Sequence, residues 1–381
     1  MSLEDFLEQK PLYYTQIDYT RMPRAYESIK EHLHIPKVIH IVGTNGKGTT
    51  GRFIANALYA LGLKVGNYTS PHIKTFNERI WIDGHNCEES VLEKAHERLQ
   101  RLLSDEFKNT LSYFEYTTFL AMIVYEACDY IVLEAGLGGE YDATNAFEKV
   151  LSVITPIGID HEDFLGSNIE EIAKTKLRSI KNKAIIGKQM FPEVLSVAED
   201  LEKSLEIECI DYKDYIDDAL IRLAEELSKE QELPHYLQEN LLLSMAVLKE
   251  LGYKVKKNLF NSQRLEGRMQ KIRSNVWLDV GHNALAAEAI SHCFCKKSVN
   301  LVYNSYKDKD YLSILSLLEP IVKRVEIISI KDDRIAEHED LVAAILKNGL
   351  DYKIFDGILE DENYLIFGSF SVAEVFNDQY G

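Results

Sequence analysis

The chain has no run of about 20 apolar residues, the length a helix needs to cross a bilayer, so a helical membrane span is not expected. Its first ten residues, Met1 to Lys10, carry acidic side chains where a secretory signal carries basic ones. Paired cysteines are missing as well. The five present (Cys87, Cys128, Cys209, Cys293 and Cys295) are odd in number and show no CxxC spacing, which speaks against a disulfide framework or a structural zinc site. Positive charge is in short supply: 43 Lys and Arg stand against 61 acidic residues, a formal net charge of −18, which repels nucleic acid and anionic lipid over most of the surface. Internal repeats and low-complexity tracts are absent from the sequence. These absences lead us to expect a cytoplasmic protein with neither nucleic acid nor membrane as partner. Any anionic substrate then needs a local basic or metal-bearing pocket.

What the sequence does hold is an alternation of short β-branched runs with helical patterns, the signature of a parallel sheet covered by helices. At 381 residues it exceeds what one core usually organises and favours two domains. Val38–Val42 reads as a buried strand, followed by a Gly-rich turn and a helix from Thr49 to Leu61 that Gly62 stops. Lys64–Asn67, Tyr130–Glu134 and Val150–Thr155 read as further strands, and Phe114–Ala127 as a helix. A polar segment without periodicity, Asn261–Arg268, suits a linker. Beyond it, Asn275–Asp279, Val299–Tyr303 and Val325–Ile330 read as strands, with helical patterns starting at Leu285, Tyr311 and Glu337. The expected fold is α/β: a P-loop-type, mainly parallel sheet flanked by helices over residues 1–262, a linker at 263–270, and a smaller Rossmann-like α/β domain at 271–381.

Gly43, Thr44, Asn45, Gly46, Lys47, Gly48 and Thr49 lie between a strand and a helix. Successive backbone N–H groups and a helix N-terminus there favour phosphate oxygens. Lys47 can reach terminal phosphates, and the Thr49 hydroxyl can ligate Mg²⁺. The loop departs from GxxxxGK[ST], because Gly48 separates Lys47 from Thr49. Phosphate binding is the expectation; the class of NTPase does not follow from the loop alone. In open α/β sheets ligands sit outside the carboxyl ends of strands, so this loop, Ser70, Glu134 and His161 are expected to converge.

Further segments carry a resemblance. Tyr68-Thr-Ser-Pro-His-Ile-Lys-Thr-Phe-Asn-Glu-Arg-Ile80, Phe114-Glu-Tyr-Thr-Thr118, Leu133-Glu-Ala-Gly-Leu-Gly-Gly139, Asp142-Ala-Thr-Asn145, Asp160-His-Glu-Asp-Phe-Leu-Gly166 and Ile172-Ala-Lys-Thr-Lys176 occur in order. Past the linker come Gly267-Arg-Met-Gln270, Leu278-Asp-Val-Gly-His-Asn283, Lys307-Asp-Lys-Asp310 and Phe367-Gly-Ser-Phe370. This set resembles the folate branch of the Mur ligase superfamily, the dihydrofolate synthase/folylpolyglutamate synthase family, over nearly the whole chain.

The resemblance implies an ATP-dependent ligase of folate biosynthesis that joins L-glutamate to dihydropteroate, to a reduced folate, or to both, through an acylphosphate. A carboxylate is a poor electrophile, and phosphorylation by ATP makes it reactive. By the same pattern Thr49, Ser70, Glu134 and His161 lie at Mg²⁺ sites, two ions in all, and hard oxygen ligands suit that ion. Lys47, Glu134, His161 and Lys176 are the implied catalytic residues, with a carbamate on Lys176 as an anionic metal ligand. Arg268, Asp279 and His282 are expected to contact the nucleotide from the second domain, and Asp308, Lys309 and the Ser369 loop to contact glutamate or nucleotide. Asp18, Arg21, Phe76, Phe114 and Asp142 are expected in the pterin site, together with Glu115. The family is commonly monomeric. Departures from its pattern are Thr175 for a glutamate, Leu177-Arg178 for small residues, Ala284 for a proline, and Glu140 for a frequent arginine. Two other readings compete, a Mur-type peptidoglycan ligase with a nucleotide-sugar acceptor and a non-catalytic ATP-binding regulatory protein. The compact length and the FEYTT and DATN segments tell against the first, and the joint presence of Glu134, His161 and the second-domain residues tells against the second.

Overall fold

The computed structural model describes residues 1–11, 18–261 and 264–380. From Val38 to Val42 the chain is apolar except at His40, and a strand without a polar face is stable only where both faces are covered. It forms β1 (Lys37–Val42), inside an eight-stranded sheet. The others are β2 (Val65–Tyr68), β3 (Ile80–Ile82), β4 (His85–Asn86), β5 (Tyr130–Glu134), β6 (Leu151–Ile154), β7 (Lys183–Ile186) and β8 (Glu208–Asp211). Their spatial order is β4-β3-β2-β5-β1-β6-β7-β8. Neighbours from β2 to β8 in that order pair in parallel, and β3 and β4 add an antiparallel edge.

Side chains from the central strands alternate between two cores. Ile39, Ile41, Tyr130 and Val132 join Phe53, Leu58 and Leu241 on one face. Val38, Ile131, Leu133 and Tyr68 join Tyr116, Phe119 and Leu120 on the other. The chain runs from β1 past β5 to β2, returns through β5, and then continues to β6 on the far side of β1. Strand order therefore reverses beside β1, the place where open α/β sheets bind ligands.

The second sheet contains β9 (Gln270–Arg273), β10 (Val276–Leu278), β11 (Val299–Tyr303), β12 (Val322–Ile327), β13 (Tyr352–Ile354) and β14 (Tyr364–Phe367), ordered β13-β12-β11-β14-β10-β9. In this sheet only β9 is antiparallel to its neighbour. β12 begins three residues before the expected Val325. The polar Lys323 and Arg324 interrupt its apolar run, and a register shift against β11 accommodates them. β14 is a strand that the sequence pattern did not announce. It is a four-residue apolar run that sits between β11 and β10, fully buried.

The two sheets belong to units that touch. Ile73, from the loop after β2, packs with Val276, Leu278 and Val280. The Tyr236 hydroxyl, on the helix His235–Glu250 of the first unit, donates to Asp279 Oδ2 at 2.6 Å. The same carboxylate accepts from Met269 N at 2.9 Å and, through Oδ1, from Gly281 N at 2.8 Å. The segment expected as a linker is thus tied to the end of β10; Ser262 and Gln263 lie outside the described residues. Among the described residues no helix is long and apolar enough to cross a membrane. Tyr236→Phe removes one hydrogen bond to a buried carboxylate at this junction. It is expected to lower stability by about 1.5–3 kcal/mol, read in urea unfolding, because the Asp279 oxygen loses a donor that water cannot easily replace.

Candidate active site

The phosphate loop leaves β1 at Gly43 and enters the helix Lys47–Ala60. Thr44 N and Asn45 N donate to Pro156 O (2.9 and 3.2 Å), and Thr44 Oγ1 to Gly158 O (3.0 Å), so the loop is pinned to the chain leaving β6. Gly46 has φ +84°, and a Cβ there would lie 2.7 Å from Asn240 Oδ1, so no other residue fits this turn without strain. Lys47 Nζ lies back over the loop and donates to Gly43 O (3.2 Å) and Thr44 O (3.1 Å). Thr49 Oγ1, by contrast, is buried and has no hydrogen-bond partner. A buried unpaired hydroxyl costs about 1–3 kcal/mol, and a metal ion or phosphate oxygen at this helix start would satisfy it.

β5 ends on Glu134, whose carboxylate is buried. Thr69 Oγ1 donates to its Oε2 and Ser70 N approaches the same oxygen at 3.3 Å, which brings the end of β2 to the end of β5. Burial raises the Glu134 pKa, while Lys47 and Arg268 pull it down. The convergence expected from strand ends is therefore present for the phosphate loop, Ser70 and Glu134. His161 sits beyond β6 in a left-handed conformation (φ +55°) at the start of the short helix Glu162–Leu165, and its side chain is 39% exposed. Partial desolvation of the ring, with the Lys309, His282 and Lys176 charges nearby, lowers its pKa against the pull of Asp160, so the ring is neutral near pH 7. The expected metal set comprises two hydroxyls, one carboxylate and one imidazole. Among the described residues no three or more His, Cys, Asp or Glu side chains come together as a metal site.

Lys176, on the helix Ile169–Leu177, is buried and donates to Gly43 O at 3.0 Å, directly under the phosphate loop. Burial lowers its pKa to about 7, helped by the neighbouring Lys47 charge. Two departures from the family pattern meet beside it. Glu140 pairs with Arg178 at 3.4 Å, so the positive charge absent from the loop is supplied by the helix. Both partners are partly exposed, and the pair is worth less than about 1 kcal/mol.

From the second unit, Arg268 lies near enough to Glu134 to shift its pKa, stacks over Phe370 (5.3 Å) and donates to Gly267 O. Asp279 has both carboxylate oxygens engaged by protein donors and ties the linker rather than standing open to a ligand. His282 bonds through Nδ1 to Val280 O (3.1 Å) and points Nε2 at Asp160 (3.7 Å). Lys309, expected at glutamate or nucleotide, instead holds Asp160 at 2.6 Å, while Asp308 is an exposed neighbour of it at 3.8 Å. Ser369 Oγ accepts from Val372 N at 3.1 Å, a cap within the chain.

The residues expected around the pterin divide. Arg21 makes a buried double contact with Glu115 (3.2 and 2.9 Å), and Glu115 also closes a capping box with Ser112 at the start of the helix Tyr113–Val124. Asp142 is buried and accepts from Leu137 N (2.7 Å), Thr144 N (2.9 Å) and Thr144 Oγ1 (2.5 Å), so it shapes its loop. Asp18 is exposed and accepts from Thr20 N and Oγ1. Phe114 abuts Gly136 and Tyr68, and Phe76 meets Tyr113 edge-on at 6.3 Å. Sequence reasoning missed Tyr19 and Tyr141, exposed rings 4.3 Å apart that join the Asp18 and Asp142 segments. It also missed Asp160 and Asn283. Both stand inside motif segments, but only the fold brings them together, at 3.0 Å.

A Gly-rich loop at the reversal point of a parallel sheet, faced by an arginine from a second α/β unit, suits a nucleotide, and the relatives of this chain make it an ATP-dependent ligase of the Mur type. Residues 41–190 match the Mur ligase middle domain. The chain is 30% identical to the Escherichia coli dihydrofolate synthase/folylpolyglutamate synthase over 369 residues, covering 89% of this chain and 86% of that protein. It is also similar to the crystal structure of Helicobacter pylori folylpolyglutamate synthetase (37% identity, TM-score 0.80, 99% of this chain and 97% of that one). A bifunctional folylpolyglutamate synthase/dihydrofolate synthase solved with Mn, AMPPNP and L-glutamate shares the fold (23% identity, TM-score 0.83, 100% and 98%). The chain belongs to the dihydrofolate synthase/folylpolyglutamate synthase family.

Gly139 offers a test of how tightly this site is built. A Cβ there would lie 2.5 Å from Lys176 O and 2.9 Å from Lys176 Cα, backbone atoms that cannot swing aside. Gly139→Ala should push the Ile169–Leu177 helix from the phosphate loop and lower kcat by about 100-fold, the scale of an ångström-level misplacement. Retention of kcat within about twofold would show that Lys176 can move without consequence.

Proposed function

We propose that the chain joins L-glutamate to the carboxylate of dihydropteroate, of tetrahydrofolate and its polyglutamates, or of both, with ATP and Mg²⁺. The observation that carries this reading is the buried, unpartnered Thr49 hydroxyl beside Lys47, at the mouth of a loop built for phosphate and faced by Arg268. The names of the similar proteins supply the acceptor and the amino acid. The acceptor carboxylate attacks the γ-phosphorus and ADP leaves; the glutamate amine then attacks the acyl carbon, loses a proton and expels phosphate. Lys47, the loop N–H groups and Arg268 stabilise the charge that gathers on phosphoryl oxygens. Thr49, Ser70, Glu134 and neutral His161 would hold Mg²⁺, which when bound neutralises phosphate charge. Thr69 and Ser70 orient Glu134 for that task.

The proposal extends to a carbamate on Lys176 and a second Mg²⁺ near it. With its pKa lowered to about 7, much of the Lys176 amine is neutral at physiological pH, and the neutral amine is the form that adds CO₂. The product replaces a buried cation beside Lys47 with an anion, relieving like-charge repulsion. We further propose a domain division at 1–262, 263–270 and 271–381, closure about the linker during turnover, and a cytoplasmic monomer.

ADP release with Mg·ATP and glutamate should require dihydropteroate, tetrahydrofolate, or either one, and should fall by at least about 100-fold in Lys47→Ala. Release without any acceptor dependence would overturn the assignment. Intact-mass or crystallographic analysis of an active preparation should show CO₂ added at Lys176; a free amine in fully active protein would remove the carbamate.

A further inference from the structure

We propose that Asp160 is a positioning residue: gripped from the second unit by Lys309, Asn283 and His282, it sets the loop that presents His161, so that the metal end of the site is complete only while the two units are together. The inference rests on the Mg²⁺ role of His161 in the proposed reaction. Asp160 Oδ1 accepts from Lys309 Nζ (2.6 Å) and from the backbone N of His161 (3.0 Å); Oδ2 accepts from Asn283 Nδ2 (3.0 Å) and faces His282 Nε2 (3.7 Å). The Asp160 and Lys309 side chains are 7% and 8% exposed.

His161 occupies the left-handed region at φ +55°, which costs a non-glycine residue about 1–3 kcal/mol and persists only where its surroundings over-determine it. The bond from its own N–H to Asp160 is the local restraint, and the second unit holds the other end of that restraint. Asn283 extends the grip to the phosphate loop. Its Oδ1 accepts from Asn45 Nδ2 (3.0 Å) and from Ala286 N (2.9 Å), while its Nδ2 also donates to Asn45 Oδ1 (2.9 Å). One buried amide therefore touches the phosphate loop and the His161 loop, while capping the helix Ala284–Ser291.

An ion pair this dry is a poor device for static stability, because taking both charges out of water costs nearly what their attraction returns. Across a cleft that substrates must enter, the same balance is useful. When the units part, both charges rehydrate; when they meet, the pair forms and fixes His161. Asp160 touches no reacting atom in this scheme and acts through its neighbour.

The test is a double-mutant cycle with Asp160→Asn and Lys309→Met, read as kcat, as the Mg²⁺ concentration for half-maximal activity, and as ADP binding by calorimetry with and without Mg²⁺. Each single variant should lower kcat and weaken Mg²⁺-linked ADP binding by about 10–100-fold, the scale found when the partner of a metal ligand is lost. Metal-free ADP binding should change less than about threefold, and the double variant should be no worse than the poorer single one. Asn283→Asp keeps a good helix cap but sets a carboxylate against Asp160, so it should show the same Mg²⁺ signature together with a lowered Tm. Multiplicative losses in the double variant, or a raised glutamate KM with normal Mg²⁺ dependence, would overturn the proposal and assign Lys309 to substrate. Mg²⁺-linked ADP binding needs no acceptor, so it tests Asp160 even if acceptor-dependent turnover fails.

Discussion

β1 is covered on both faces, and that single constraint arranges most of the active site. A strand buried between Phe53 and Leu241 on one side and Tyr116 and Phe119 on the other leaves no open polar group between Val38 and Val42, because His40 is already engaged by Thr144 and Lys149. Ligand-binding groups can gather only where the strands end. With β2, β5, β1 and β6 parallel and adjacent, four ends fall on one edge, and with them Ser70, Glu134, the phosphate loop and the chain that leads to His161. Cations collect there as well. Lys47 and Arg268 stand beside the loop of a chain whose net charge is −18, which gives anionic groups an attractive place on a repulsive surface.

Polar residues buried next to that edge hold its loops in shape. Thr144 Oγ1 donates to Asp142 Oδ1, so it accepts from His40 Nε2 at 2.8 Å, and His40 Nδ1 in turn accepts from Lys149 Nζ at 3.3 Å. Burial keeps His40 neutral and lowers the Lys149 pKa to about 7, consistent with that donor order. Lys149 also reaches Ser179 O at 3.3 Å, just past the Lys176 helix. The chain of bonds links β1, the Asp142 loop and that helix, so the loop next to the expected pterin site is built on a satisfied network rather than on open ligand groups.

Local pattern was a good guide wherever a residue's task is local. Val38–Val42, Tyr130–Glu134 and Val299–Tyr303 declare themselves as buried strands by composition, and the Gly-rich turn around Gly46 falls between a strand and a helix as its residues led us to expect. β14 was legible in principle as an apolar run between Asn363 and Gly368, but four residues carry too little periodicity to separate strand from helix. Asp142 and Asp279 matched motifs, yet a motif does not say whether a carboxylate faces a ligand or its own backbone. In this fold both accept from the chain.

By itself the sequence determined the α/β class and the family, and it pointed to the Gly-rich turn, Ser70 and Glu134 at the strand ends, because these depend on hydrophobic period, turn chemistry and motif order. Only the tertiary structure decided which carboxylates are already engaged, that Glu140 and Arg178 exchange charge across a loop and a helix, and that Asp160 is grasped by Lys309 and Asn283. Those pairings join residues far apart in the chain, and their energy depends on distance and burial, which no spacing in a sequence encodes.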